Sequence, residues 1–119
     1  MLNPKITVIT SAYNSENFVA ITLESVLNQT FKDFEYIIFE DASSDNTAKI
    51  LKEYSQKDSR IKIVTKEKNL GYQGFIKNLN SGLKMARGKY IARIDADDIA
   101  NADRLQVQYD FLEKNKDIF

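Results

Sequence analysis

Phe34-Glu35-Tyr36-Ile37-Ile38-Phe39-Glu40, followed at once by Asp41-Ala42-Ser43-Ser44-Asp45-Asn46-Thr47, decides the fold. The β-branched and aromatic residues of the first half read as a strand. Its apolar run is continuous rather than alternating, as a strand covered on both faces requires. The polar stretch behind it is rich in capping residues. One of Ser43, Ser44 or Asp45 is expected to cap a helix that turns Ile50, Leu51 and Tyr54 inward. A buried strand feeding a helix is one βα unit, and the rest of the chain repeats it.

Upstream, Lys5-Ile6-Thr7-Val8-Ile9-Thr10 reads as a strand ended by the polar loop Ser11-Ala12-Tyr13-Asn14-Ser15. A helix from about Asn17 then places Val19, Leu23, Val26 and Leu27 on one face. Downstream, Arg60 to Thr65 is a third strand, and a helix with Phe75, Leu79, Leu83 and Ala86 on its inner stripe follows. Gly88 is placed to end that helix. Lys89 to Ile94 forms a fourth strand, and Asn101 is a good N-cap for a last helix with Leu105, Tyr109 and Leu112 inward. This alternation, without repeats or a linker, predicts an α/β fold: a mostly parallel sheet with right-handed crossovers and helices on both faces. The loops after the first, second and fourth strands then gather along one edge of the sheet. They bring Tyr13 and Asn14, then Asp41, then Asp95-Ala96-Asp97-Asp98 to the carboxyl ends of strands, where such folds place ligands.

Composition narrows the chemistry. At 119 residues the chain is one domain, and its 17 basic and 17 acidic residues balance, which argues against a nucleic-acid binder. It has no cysteine and no histidine, so disulfides, thiolate or imidazole metal sites, cysteine nucleophiles and Ser-His-Asp triads are excluded. Metal binding and proton transfer must fall to carboxylates. No apolar run approaches a membrane span, and the amino terminus lacks a signal-peptide pattern. A cytoplasmic chain is expected, or one held at the cytosolic membrane face through parts not present here. Asp117-Ile118-Phe119 reads as the start of a fifth strand, as if a longer chain were cut there. Apolar surface left by a missing half would favour self-association into a homo-oligomer.

Asp95, Asp97 and Asp98 repel one another unless a cation sits among them. Oxygen ligands at that spacing suit Mg²⁺ or Mn²⁺, and the same residues also make a solvated acidic turn. Tyr13 offers a ring on which a nucleobase can stack, though tyrosine is common in loops. Asp41 stands where α/β folds accept hydrogen bonds from a base or ribose, and it is equally a residue that begins turns. Neither G-x-G-x-x-G nor G-x-x-x-x-G-K-[ST] occurs. A bound pyrophosphate would have to be held by a cation resting on acids.

Five blocks carry a resemblance. Ile6-Thr7-Val8-Ile9-Thr10-Ser11-Ala12-Tyr13-Asn14, Leu27-Asn28-Gln29-Thr30, Glu40 to Thr47, Asn69-Leu70-Gly71 with Ala86 to Ile91, and Asp95-Ala96-Asp97-Asp98 resemble, in order, family 2 glycosyltransferases. The last block is similar to the family's DxD element. The resemblance implies the Rossmann-like half of a GT-A fold, with residues 1–119 a single nucleotide-sugar-binding domain that stops before the acceptor-binding half. It implies metal-dependent, inverting transfer from a nucleotide-diphosphate sugar to an acceptor such as a polysaccharide or lipid-linked glycan. Carried over by position, Ser11, Tyr13 and Asp41 hold the base, and Asp95 lies near the ribose and the metal. Asp97, with Asp98, coordinates Mg²⁺ or Mn²⁺. The family's Arg-Asn-x-Gly is absent between Gly71 and Gly82, where the nearest cation is Lys77, a residue that reads as solvated. No acid in the chain is assigned as the base that takes the acceptor's proton. That base is expected beyond residue 119, and the chain alone is expected to bind donor weakly and transfer little. Two other classes compete. One is a binding module without transfer. The other is a sugar nucleotidyltransferase, which would need a glycine-rich basic stretch where Thr10-Ser11-Ala12-Tyr13-Asn14-Ser15 has neither glycine nor base.

Overall fold

The computed structural model describes residues 3–116, so the expected start of a fifth strand at Asp117 to Phe119 lies outside the described residues. Strands and helices alternate as β1 (Ile6–Ala12), α1 (Val19–Leu27), β2 (Phe34–Glu40), α2 (Thr47–Lys57), β3 (Ile61–Thr65), α3 (Gly71–Met85), β4 (Tyr90–Arg93) and α4 (Arg104–Lys114). The sheet is parallel throughout, in the order β3-β2-β1-β4. The chain thus winds outward from β1 to β3 and then crosses back to the other side of β1. This reversal puts a switch point between β1 and β4, the place where open α/β sheets leave a crevice beyond the strand ends.

Both faces of the sheet are covered. Ile6, Val8, Phe34, Tyr36 and Ile38 pack with Val19, Leu23 and Val26 of α1, Leu51 of α2 and Leu105 of α4. Ile9, Ile37 and Phe39 form the opposite face, against Leu79 and Met85 of α3. All seven residues of β2 are buried, as the unbroken apolar run demands. Among the described residues no helix is long and apolar enough to cross a membrane.

The helix α3 departs from its expected stripe. Leu83 is exposed, and the residues buried against the sheet are Gly74, Asn78 and Gly82. A Cβ on Gly82 would stand 2.8 Å from Ile9 Cδ1 and 3.3 Å from Phe39 Cε2. The helix sits so close that glycine alone clears the strands. Gly88 does not end this helix, which stops at Met85 with Ala86 as its C-cap; the place of the glycine is set by packing against β1. A Cβ there would fall 2.4 Å from the Thr7 amide nitrogen, and its own N–H donates to Thr7 Oγ1 at 2.9 Å.

Three boundaries also differ. Ser11 and Ala12 belong to β1 rather than to a loop, because β2 is long enough to pair with them through Phe39 and Glu40. β4 stops at Arg93, although Ile94 N–H still donates to the Ile9 carbonyl at 3.0 Å. Asn101 is not an N-cap: α4 starts at Arg104, and the buried Gln29 side chain supplies the missing acceptor by taking the Leu105 N–H at 3.0 Å. In α2 the N-cap is Asn46, not Ser43, Ser44 or Asp45, and its side chain makes no cap bond. Asp45, one residue earlier, still takes a first-turn donor, since its Oδ1 accepts from both Thr47 N and Thr47 Oγ1.

Candidate functional site

The crevice beyond β1 and β4 holds about 420 Å³ and is lined by Ser11, Tyr13, Asn14, Phe75, Arg93, Asp95 and Asp97, among others. Of the residues singled out in the sequence, Ser11, Tyr13, Asp95 and Asp97 meet here. Tyr13 is half exposed, with its ring free for stacking. Ser11 leaves the sheet on the α3 side, where its Oγ accepts from the buried Asn78 side-chain amide at 3.1 Å.

Asp41 stands one strand away and does not line this crevice. It is 5% exposed, its N–H donates to the Ala12 carbonyl at 2.9 Å, and its carboxylate accepts from Asn69 Nδ2 at 3.1 Å. Asp98 also lies apart. Its Oδ2 accepts the Asp95 N–H at 3.2 Å, which closes the acidic turn on itself, and it borders the neighbouring hollow with Arg104. Lys77 is exposed on α3 and is not among the crevice residues.

The loops are laced together. Asn14 N–H donates to Ser43 Oγ at 3.0 Å, and Asn14 Oδ1 accepts from Ser44 N at 2.8 Å. Asn14 and Ala42 both adopt positive φ, 45° and 60°, a conformation that costs a residue such as alanine about 1 kcal/mol or more. Such strain persists where surrounding contacts over-determine the backbone, and both positions sit in loops at the site.

The acidic turn is fixed from below by α1 and β1. Thr10 Oγ1 donates to the Ile94 carbonyl at 2.6 Å, and Thr22 Oγ1 to the Ala96 carbonyl at 2.8 Å, so buried hydroxyls grip the backbone on either side of Asp95. Thr10 has used its one proton, so Tyr36 OH donates to it at 2.8 Å. Burial pushes the Tyr36 phenol well above its usual range, which keeps that donor protonated. Further along α1, Ser25 Oγ accepts the Ala100 N–H at 3.0 Å and Gln29 Nε2 donates to the Asn101 carbonyl at 2.5 Å.

Among the described residues no three acids converge as ligands to one ion. Mg²⁺ seldom asks for that. It commonly takes one or two carboxylates and completes its shell with water and substrate phosphates. Asp97 is exposed and Asp95 half-exposed in one crevice, and this donor set fits such an ion.

Phe75 and Arg93 line the crevice as well, although neither stands out in the sequence as a site residue. The Arg93 guanidinium lies 4.9 Å from the Phe75 ring centroid, and its Nε donates to Asp95 Oδ1 at 3.2 Å. A residue two before an aspartate on an extended run is the available signal, since both then leave the sheet on one side.

Residues 7–119 match the sequence pattern of Glycosyl transferase family 2. The chain belongs to this family. It is 44% identical over 115 residues to an uncharacterized glycosyltransferase of Haemophilus influenzae, covering 97% of this chain and 35% of that protein. It is 39% identical over 110 residues to the Escherichia coli UDP-Glc:alpha-D-GlcNAc-diphosphoundecaprenol beta-1,3-glucosyltransferase WfgD, covering 92% of this chain and 42% of WfgD. In fold it is similar to S. aureus TarS 1–349 in complex with UDP-GlcNAc, with a TM-score of 0.85, 32% identity, and coverage of 94% of this chain and 32% of that one. The family 2 chain described here therefore spans roughly a third to two fifths of the length of these relatives. The architecture expected of a GT-A glycosyltransferase, a parallel sheet with helices on both faces, is the one observed.

Proposed function

We propose that this chain is the donor-binding part of a metal-dependent, inverting glycosyltransferase that acts on a nucleotide-diphosphate sugar. The convergence of Ser11, Tyr13, Asp95 and Asp97 on the β1–β4 crevice carries this reading. Tyr13 and Ser11 take the nucleoside in the crevice, and the base extends past it toward Asp41, which walls the far end from one strand away, fastened to Asn69. Asp95 lies toward the ribose. Asp97, with Asp95, holds Mg²⁺ or Mn²⁺, while Asp98 shapes the turn that presents them. The bound ion would offset the charge that grows on the leaving diphosphate as the glycosidic bond breaks. The thiol- and imidazole-free chain leaves that task to carboxylates. The TarS complex with UDP-GlcNAc supports a nucleotide-sugar donor, and WfgD supports a lipid-linked glycan as acceptor. The acceptor site and the base that takes its proton belong to sequence beyond this chain. The protein works in the cytoplasm or at the cytosolic membrane face.

A panel of UDP, GDP and dTDP, titrated by calorimetry with and without Mn²⁺, tests the reading. Binding of one diphosphate that strengthens with Mn²⁺ is expected. No binding under either condition would overturn it.

A further inference from the structure

We infer that Arg93 is the anion contact of the crevice, and that its guanidinium takes phosphate oxygens of the bound nucleotide. This inference rests on the donor-binding reading above. In register, Arg93 pairs with Ile9, whose side chain belongs to the α3-covered face. Arg93 therefore leaves the sheet on the side where Ser11 meets α3, and its guanidinium comes to lie over Phe75. Among the described residues that line the crevice it is the one cation, set against Asp95 and Asp97.

The pairing with Asp95 leaves much of the guanidinium unused. Nε and NH2 both stand 3.2 Å from a single oxygen, Asp95 Oδ1. A guanidinium carries five N–H donors in a planar fork, and no acceptor among the described residues is bonded to its NH1. The side chain is 52% exposed, so the outer edge of the fork is open to the crevice. An arginine paired on one edge and resting on an aromatic ring is held ready for a second anion on the other edge. The ion pair alone is a poor reason for this placement, because half-exposed pairs contribute little to stability. A crevice carrying only Asp95 and Asp97 would repel a diphosphate, whereas Arg93 offsets one of those charges and supplies directed donors.

The test compares the diphosphate that the chain binds, among UDP, GDP and dTDP, with its own nucleoside, by NMR titration of the chain. Arg93→Gln is expected to weaken the diphosphate by about tenfold to a hundredfold, the worth of charge-assisted hydrogen bonds, and to leave the nucleoside within about twofold. Retained nucleoside binding also shows that the variant is folded. Equal losses for nucleoside and diphosphate would overturn the inference. A second arm places Arg93→Gln in an Asp95→Asn background. A persistent loss of diphosphate affinity is expected there, and its disappearance would mean that Arg93 only neutralises Asp95, which also overturns the inference. If the unaltered chain binds neither diphosphate nor nucleoside, the donor-binding reading itself fails and this one with it. Normal binding of the unaltered chain with an indifferent Arg93→Gln sinks the arginine alone.

Discussion

Asp41 and Asn69, which belong to different loops, are joined twice: the Asn69 amide donates to the Asp41 carboxylate at 3.1 Å and to the Asp41 carbonyl at 3.2 Å. Asn69 Oδ1 accepts the Gly71 N–H at 2.8 Å, so one side chain sets both the acid and the entry to α3. Asp41→Ala is expected to weaken every nucleotide. Asn69→Ala should do the same by a smaller factor, about threefold to tenfold, because the acid is freed rather than removed. Calorimetry on both variants checks this, and unaltered affinities would take Asp41 out of the base-binding wall.

Asp97 carries the metal dependence in the proposed site. Asp97→Asn removes the charge at nearly constant shape, so the gain in nucleotide affinity on adding Mn²⁺ should vanish while metal-free binding persists. An undiminished Mn²⁺ effect in that variant would take Asp97 out of the site.

Gln29 joins α1 to the start of α4 through bonds to the Asn101 carbonyl and the Leu105 N–H, and it is fully buried. Gln29→Ala leaves the buried Leu105 N–H without its acceptor, while the Asn101 carbonyl keeps the Arg104 N–H at 3.0 Å. A loss of about 2 to 4 kcal/mol is expected from the one unsatisfied donor and the cavity, read from urea denaturation. A loss below about 1 kcal/mol would mean that water replaces the amide there.

Gly88→Ala forces a methyl into the space 2.4 Å from the Thr7 nitrogen, where the obstacle is backbone and cannot swing aside. Destabilisation of about 1 to 3 kcal/mol should follow, as for overpacked cores. Gly71→Ala meets nothing within 4 Å but must hold φ at 64°, so its cost should be smaller, about 1 kcal/mol. Thermal melts of the two variants rank them.

Glu35 links stability to pH. Burial acts to raise its carboxyl, but hydrogen bonds from Thr7 Oγ1, the Arg87 N–H and the Arg87 guanidinium outweigh it and hold the group below its ordinary value of 4.5. A depressed carboxyl contributes stability that is whole above the unfolded value and is lost as pH falls through the folded one. Glu35→Gln should therefore be least stable relative to the unaltered chain near neutrality, and the gap should close in acid. Denaturation at about pH 7 and pH 3 measures it, and a constant gap would show that packing rather than charge sets the difference.

Most of the fold is legible in the chain because the βα alternation leaves few topologies open. The face of α3 is not, for a physical reason. Hydrophobic periodicity marks large side chains, whereas the closest approach to the sheet is made at Gly82, which carries no side chain to mark. The start of α4 hides for a related reason, since its acceptor comes from Gln29, far away in sequence. In the candidate site, the acids and Tyr13 stand out by type and by their position after strands. Arg93 does not, because its place over Phe75 depends on how β4 lies beneath α3.

The threonine grips at the carbonyls of residues 94 and 96 tie the charged turn to the most deeply buried layer of the molecule. The turn's position is thereby inherited from the interior, and solvent-side changes in the loops after β2 and β3 can alter what is recognised without disturbing it. In the proposed reading, specificity and reactivity are then separable: the outer loops can be recut while the proposed ion seat stays riding on α1.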